Sequence, residues 1–362
     1  MKLESGKISG SQLIFLAMGF IFGTSDIVIP VQAARQMGWL TVLSGALEAL
    51  VFAAIFTALA MRFRGKTLIE FNDMIYGALF GKIISLLYIW YFLHLASLNM
   101  KFINDFFMAI IYPETPLVVL MIFLTLICAS AVRNGLEVIA RCSVLLTIFT
   151  IFFYIADTLM LLKESDVSNL LPFMGISWRA FLLSSHRAAT LPFGETVVFI
   201  MIFAFLNKHT EAKKINLAII LAAIAVSMVT ARNTAVLGNL TYIVTYPSFM
   251  ALRQINIGEI LNRMELTVTI MFLSMAFVKI SLLYYTTALG IAQLFHLRSY
   301  LPLVLPLGAI IIALGMINFD NTIQDIYFSA NFYPIYCLPF QIGFPLLSLI
   351  IAVIRGIPKK EP

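Results

Sequence analysis

Ten apolar runs follow one another with little chain between them: 9–36, 39–62, 83–111, 115–132, 135–162, 178–206, 213–238, 264–295, 300–317 and 332–354. Each has about the ~20 residues a helix needs to cross a bilayer. Backbone amides and carbonyls inside hydrocarbon have no water to bond, so spanning segments close their hydrogen bonds internally, as helices. A soluble chain of 362 residues that is 61% hydrophobic and 12% charged could not hide its apolar surface. The reading is an all-α polytopic membrane protein, a single transmembrane domain over 1–362, whose lipid bilayer is its solvent.

Charge gives the orientation. With the N-terminus inside, Arg62, Arg64, Lys66, Lys208, Lys213 and Lys214 fall on inner loops, and fewer cations, among them Arg35, Lys163, Arg179 and Arg253, fall outside. The positive-inside bias therefore places both termini in the cytoplasm and requires an even number of spans. The net charge of +6 belongs to this bias and gives no reason to expect nucleic acid. The apolar run from Leu13 to Val31 exceeds the core of a secretory signal and carries Asp26 and Pro30, so it is expected to stay as the first span. Cys128, Cys142 and Cys337 lie in apolar segments without metal-ligand spacing, so packing is their expected role and no metal is implied. In TLIEFNDMIYGALF (67–80), Leu68, Phe71, Ile75 and Leu79 recur at helical spacing, which predicts a short helix along the inner face. The outer stretch 239–262 mixes polar and apolar residues too freely to span; it is expected to be a lid or an ordered loop.

Two runs are interrupted near mid-span. Residues 19–30 are GFIFGTSDIVIP and residues 190–197 are TLPFGETV. Gly23 and Gly194 permit unusual dihedrals, Pro192 lacks an amide donor, and Thr24 and Ser25 can cap a following half-helix. One such break is ordinarily a kink. These two occupy the first and sixth spans, the same place in two five-span halves (9–162 and 178–354) that enter the membrane in opposite directions. Paired breaks of this kind point to a binding site at the bilayer midplane. The expectation is that 23–25 and 192–194 are unwound and face each other. Freed amides would suit a carboxylate and freed carbonyls an ammonium group.

Ionisable residues in lipid are costly and mark function by default. Glu195, just past the second break, reads equally as a helix-start carboxylate and as a ligand contact. Lys279 lies halfway along the eighth span, too deep to snorkel, with Glu195, Asp26, a ligand carboxylate or freed carbonyls as its possible partners. Tyr91, Leu95 and Asn99 share one face of the third span. Lys101 and Asp105 are spaced to pair structurally, His94 suits a satisfied interior role, and Glu48 is expected to bond a neighbouring helix. Arg187 could attract an anion or pair with Glu164 or Asp166.

The segments ISGSQLIFLAMGFIFGT (8–24), LPFGE (191–195) and YIVTYPSFMALRQINIGEILNRME (242–265), with the lysine-bearing eighth span, resemble the B subunit of spore germinant receptors. That family, the endospore germination permeases, is a branch of the amino acid–polyamine–organocation transporter superfamily. The resemblance covers essentially the whole chain. It implies a five-plus-five inverted repeat like that of the bacterial leucine transporter, with helices 1 and 6 broken, in the spore inner membrane beside an A-type membrane subunit and a C-type lipoprotein. Carried over by position, Gly23, Thr24, Ser25, Phe193, Gly194 and Glu195 would form the pocket floor and walls. Tyr91, Leu95, Asn99, Lys279 and Leu283 would close it. The Lys279 ammonium would stand where sodium sits in sodium-coupled relatives, and Asp26 departs from the apolar residue expected after the first break.

The leading expectation is a germinant-sensing subunit that binds a small nutrient, an amino acid by the fit of its two charges to the broken helices, and signals to its partners. The alternative is a proton- or cation-coupled amino acid transporter. No nucleophile triad, metal cluster or phosphate loop appears in the sequence, so neither an enzyme nor a cofactor is expected.

Overall fold

The computed structural model describes residues 3–25, 31–173, 175–255 and 264–358, apart from the Thr24 side chain. Seven of its helices are long and apolar enough to span a membrane, and two shorter apolar ones accompany them. With the sixth run divided in two, these account for the ten expected spans. Large apolar side chains face outwards around the molecule, among them Leu47, Phe123, Leu145, Phe152 and Ile354. Such a rim is stable against acyl chains and not against water.

The helices are α1 (Gly10–Ser25), α2 (Gly38–Arg62), α3 (Leu68–Ile110), α4 (Leu117–Arg133), α5 (Leu136–Met160), α6 (Trp178–Thr190) and α7 (Lys214–Leu237). There follow α8 (Pro247–Leu252), α9 (Glu265–Leu294), α10 (Val304–Asn318), α11 (Thr322–Asn331), α12 (Tyr333–Tyr336) and α13 (Phe344–Ile354). The most enclosed is α9, the eighth span, which packs against α3, α1, α5 and α4. Residues Val278 to Gly290 along it are buried without interruption. Small residues permit the tightest approaches, as expected where helices associate by close packing rather than by the hydrophobic effect. A Cβ on Gly45 of α2 would lie 2.5 Å from the Ser185 carbonyl of α6.

Most local expectations hold. α3 opens with a capping box, in which the Thr67 hydroxyl accepts from the Glu70 amide and the Glu70 carboxylate accepts from the Thr67 amide. Its helical dihedrals fail at Gly77 (φ 79°), so the short inner helix predicted over 67–80 and the third span are two arms of one element. The outer connection folds partly as α8, where Tyr246 and Phe249 set their rings edge-on to Phe106 of α3.

One expectation is corrected. Gly23, Thr24 and Ser25 are not unwound; they form the last turn of α1. The Ser25 hydroxyl donates back to the Ile21 carbonyl at 2.9 Å, an alternative to capping that keeps a hydroxyl residue inside a helix. α1 nevertheless ends inside the run 9–36, and the chain is next described at Val31, before a 3-10 turn over Gln32–Met37. Asp26 and Pro30 lie outside the described residues. The sixth span breaks where expected: α6 stops at Thr190, the chain turns through Leu191 and Pro192, and a 3-10 helix, not an α-helix, runs over Phe193–Met201.

Candidate ligand-binding site

The break in span six places Glu195 where five elements meet. Its side chain is fully buried, and one carboxylate oxygen is bonded to the Lys279 ammonium of α9, itself fully buried. Its Oε1 accepts the Tyr333 hydroxyl of α12 at 2.7 Å. Beyond Tyr333 the chain of polar contacts continues to the Tyr91 hydroxyl of α3 at 2.9 Å, then to Gln341 Nε2 at 3.0 Å. The proton order follows from the two ends. Gln341 Nε2 donates to Tyr91, and Tyr333 spends its one proton on the carboxylate, so Tyr91 must donate to Tyr333. The same Gln341 amide donates to the Thr190 carbonyl at 2.9 Å, a group freed by the break. Gln341 sits in a π-helical turn over Pro339–Gly343, a distortion that recurs at functional sites.

Gly194 has a concrete role in this arrangement. A Cβ there would lie 2.1 Å from Gln341 Oε1 and 2.6 Å from its Cδ, so the network leaves no room for a side chain. Gly23 acts likewise on the other side of Lys279: its Cβ would stand 2.7 Å from both Lys279 Cβ and the Met275 carbonyl. The glycine of the expected first break is thus what lets α1 lie against the lysine. The Lys279 ammonium also lies 4.8 Å from the centre of the Phe20 ring of α1, within cation–π range.

Beside the network is a cavity of about 30 Å³, room for no more than a few water molecules. Leu95, Leu98, Asn99 and Phe102 of α3 form one wall; Leu191 and Glu195 of the break and Asp325, Ser329 and Tyr333 complete it. Of the residues singled out in the sequence, Leu95, Asn99 and Glu195 line this cavity, and Tyr91, Gly194 and Lys279 hold its wall from behind. Phe193 and Leu283 are fully buried in the surrounding packing. Ser25 opens instead onto a separate cavity of about 60 Å³, shared with Arg35, Asn233, Thr234, Tyr242 and Ser248. The Thr24 side chain and Asp26 lie outside the described residues.

The remaining polar expectations resolve into structural contacts. Lys101 pairs with Asp105 at 2.8 Å, both buried. His94 Nδ1 meets the Tyr336 hydroxyl at 3.0 Å and its ring stacks on Trp90. Glu48 bonds His186 of α6 at 2.7 Å. For Arg187 the expected acidic partners are corrected: its Nη2 donates to Asn331 Oδ1 at 3.1 Å, because α6 runs beside the α11–α12 junction. Tyr333, Gln341, Asp325 and Ser329 were not anticipated. A glutamine inside a span of mean hydropathy 2.2 was the available signal for Gln341; Asp325 falls between spans and gave none.

The family model described as Spore germination protein, the spore permease family, matches residues 7–323. The chain belongs to this family. It is 29% identical to spore germination protein KB of Bacillus subtilis (strain 168) over 358 residues, covering 97% of this chain and 96% of the relative. It is 22% identical to spore germination protein YndE of the same organism over 360 residues, covering 96% and 97%. Among solved structures, it is similar to Mhp1, a nucleobase-cation-symport-1 transporter in a closed conformation with bromovinylhydantoin bound. There the TM-score is 0.68 at 12% identity, with 99% of this chain and 94% of that chain covered. MhsT in complex with L-phenylalanine gives a TM-score of 0.60 at 16% identity, with 99% and 91% covered. The fold is the leucine-transporter fold.

Proposed function

We propose that the chain is the germinant-sensing B subunit of a spore germination receptor, working in the spore inner membrane with both termini cytoplasmic. A small nutrient, an amino acid in the first instance, binds between spans three, six and ten. The observation that carries this reading is the buried chain from Gln341 through Tyr91, Tyr333 and Glu195 to Lys279. It ties the broken span to spans three, eight and ten beside a cavity, so a ligand entering the cavity acts on all four at once. The cavity as it stands is too small for an amino acid. The ligand must therefore favour a more open arrangement of these elements, and that difference in affinity is what shifts the equilibrium. An A-type membrane subunit and a C-type lipoprotein would receive the shift.

The test fills the cavity. In spores carrying Leu95→Phe, the nutrient concentration for half-maximal germination should rise about tenfold, from overpacking worth roughly 1–3 kcal/mol, with subunit levels unchanged. An unaltered response curve with the subunit present removes the cavity from sensing. The second reading, a transporter, is favoured by the fold shared with solved transporters. Gradient-driven uptake of labelled amino acid into liposomes holding this chain alone would select it.

A further inference from the structure

Helix α11 buries a single side chain, and it is a carboxylate: Asp325 is 3% exposed while its neighbours are partly or largely open. Its Oδ1 receives the Ser329 hydroxyl at a long 3.4 Å, and its Oδ2 has no hydrogen-bond partner among the described residues. The side chain lines the cavity beside Glu195, Asn99 and Tyr333. Among the described residues, two neighbouring ion pairs are already made. Glu195 is held by Lys279 and Tyr333. Lys101 is committed to Asp105, whose second oxygen takes the Thr322 hydroxyl at 3.3 Å. Asp325 is thus a buried carboxylate on the cavity wall with one oxygen that has no hydrogen-bond partner among the described residues. A buried carboxylate without compensation is costly, and the cost is relieved by a cation with hydrogen-bond donors.

We propose that Asp325 anchors the ammonium group of a small organic amine in this cavity. The apolar body of the ligand lies against Leu95, Leu98, Phe102 and Leu191, which form the apolar part of the same wall. This rests on the reading of the cavity as the nutrient site and narrows its ligand class. Recognition is of a positive end, not of a carboxylate, because among the described residues the lysine behind this wall, Lys279, is bonded to Glu195. Ser329 and Asn99 share the cavity wall with Asp325.

The experiment uses three probes with one apolar body, L-leucine, isoamylamine and 4-methylpentanoate, titrated calorimetrically into the full chain in lipid nanodiscs. The wild-type protein is expected to bind the two amines and not the acid. Asp325→Asn, which keeps size and shape, should weaken both amines about thirtyfold or more, and Asp325→Glu should restore part of the loss. Binding of 4-methylpentanoate as tight as that of L-leucine overturns the proposal, as do unchanged amine affinities in Asp325→Asn. So does the absence of amine binding to the wild type, or an Asp325-dependent response to sodium or potassium chloride in place of the amines. Leu95→Phe separates this from failure of the cavity reading. If Leu95→Phe weakens binding and Asp325→Asn does not, the cavity stands and the anchor falls. If Leu95→Phe changes nothing, the cavity itself is not the site.

Discussion

Lys279 and Glu195 neutralise each other at full burial, so each depends on the other far more than a surface pair would. Removing one partner leaves a charge in a medium that cannot solvate it, whereas removing both leaves neutral groups. Lys279→Met should therefore destabilise the protein by about 3–5 kcal/mol, and Lys279→Met with Glu195→Gln should recover most of that loss. Thermal unfolding in detergent micelles measures both; equal stability of Lys279→Met and the wild type would show the pair to be inessential. The residues themselves were legible in the sequence. A lysine midway along an apolar run and a glutamate beside a glycine–proline break both stand out against lipid. Their pairing was one of several choices open to Lys279, because nothing in a single sequence ranks contacts between residues 84 positions apart. Asp325 was invisible for a different reason: between spans, an aspartate reads as a solvated loop residue until the fold turns it inward.

At the scale of the element, the sixth span shows how a break is built. Pro192 withholds an amide, Leu191 leaves helical dihedrals, and Gly194 admits Gln341 to within a distance no side chain would allow. Gly194→Ala must push Gln341 from its bonds to Tyr91 and the Thr190 carbonyl, at a cost of roughly 1–3 kcal/mol. Gln341→Ser in the same chain should relieve the clash and raise the unfolding temperature above that of Gly194→Ala alone. If Gly194→Ala by itself unfolds like the wild type, the glycine does not hold this contact open. Proline and glycine together made this break readable. Gly23 misled because a glycine in a span has two uses, to unwind the chain or to let another helix come close. Only the position of α9 against α1 decides between them. The π-helical turn that presents Gln341 is PFQIG (339–343), whose proline, glutamine and glycine mark an interruption but do not tell a π-turn from an ordinary kink.

For the molecule as a whole, the sequence showed the number and order of spans through hydropathy alone, but not what closes one end of the bundle. There the segment before α1 lies across several elements as a strap. Glu4 Oε2 accepts the Tyr285 hydroxyl of α9 at 3.0 Å, and is 3.4 Å from both the Tyr300 hydroxyl and the Leu136 amide at the start of α5. Four residues on, the Ile8 amide donates to the Phe205 carbonyl and the Asn207 amide to the Ile8 carbonyl, both at 3.0 Å. The strap thus joins the starts of α1 and α5 and the end of α9 to the chain leaving the broken span, and none of these can part while it holds. With the Gly6 amide, which donates to Glu4 Oε1 at 2.7 Å, its carboxylate carries four hydroxyl or amide contacts, and a hydrogen bond to a charged acceptor is worth about 1.5–3 kcal/mol. Glu4→Ala should therefore free the strap locally. Amide hydrogen exchange at Ile8 and Asn207 is expected to quicken at least tenfold, the equivalent of about 1.4 kcal/mol, while exchange in α3 beside the cavity stays as it was. If exchange at Ile8 is unmoved, the backbone pairing with Phe205 and Asn207 closes this end unaided, and Glu4 merely rests on it.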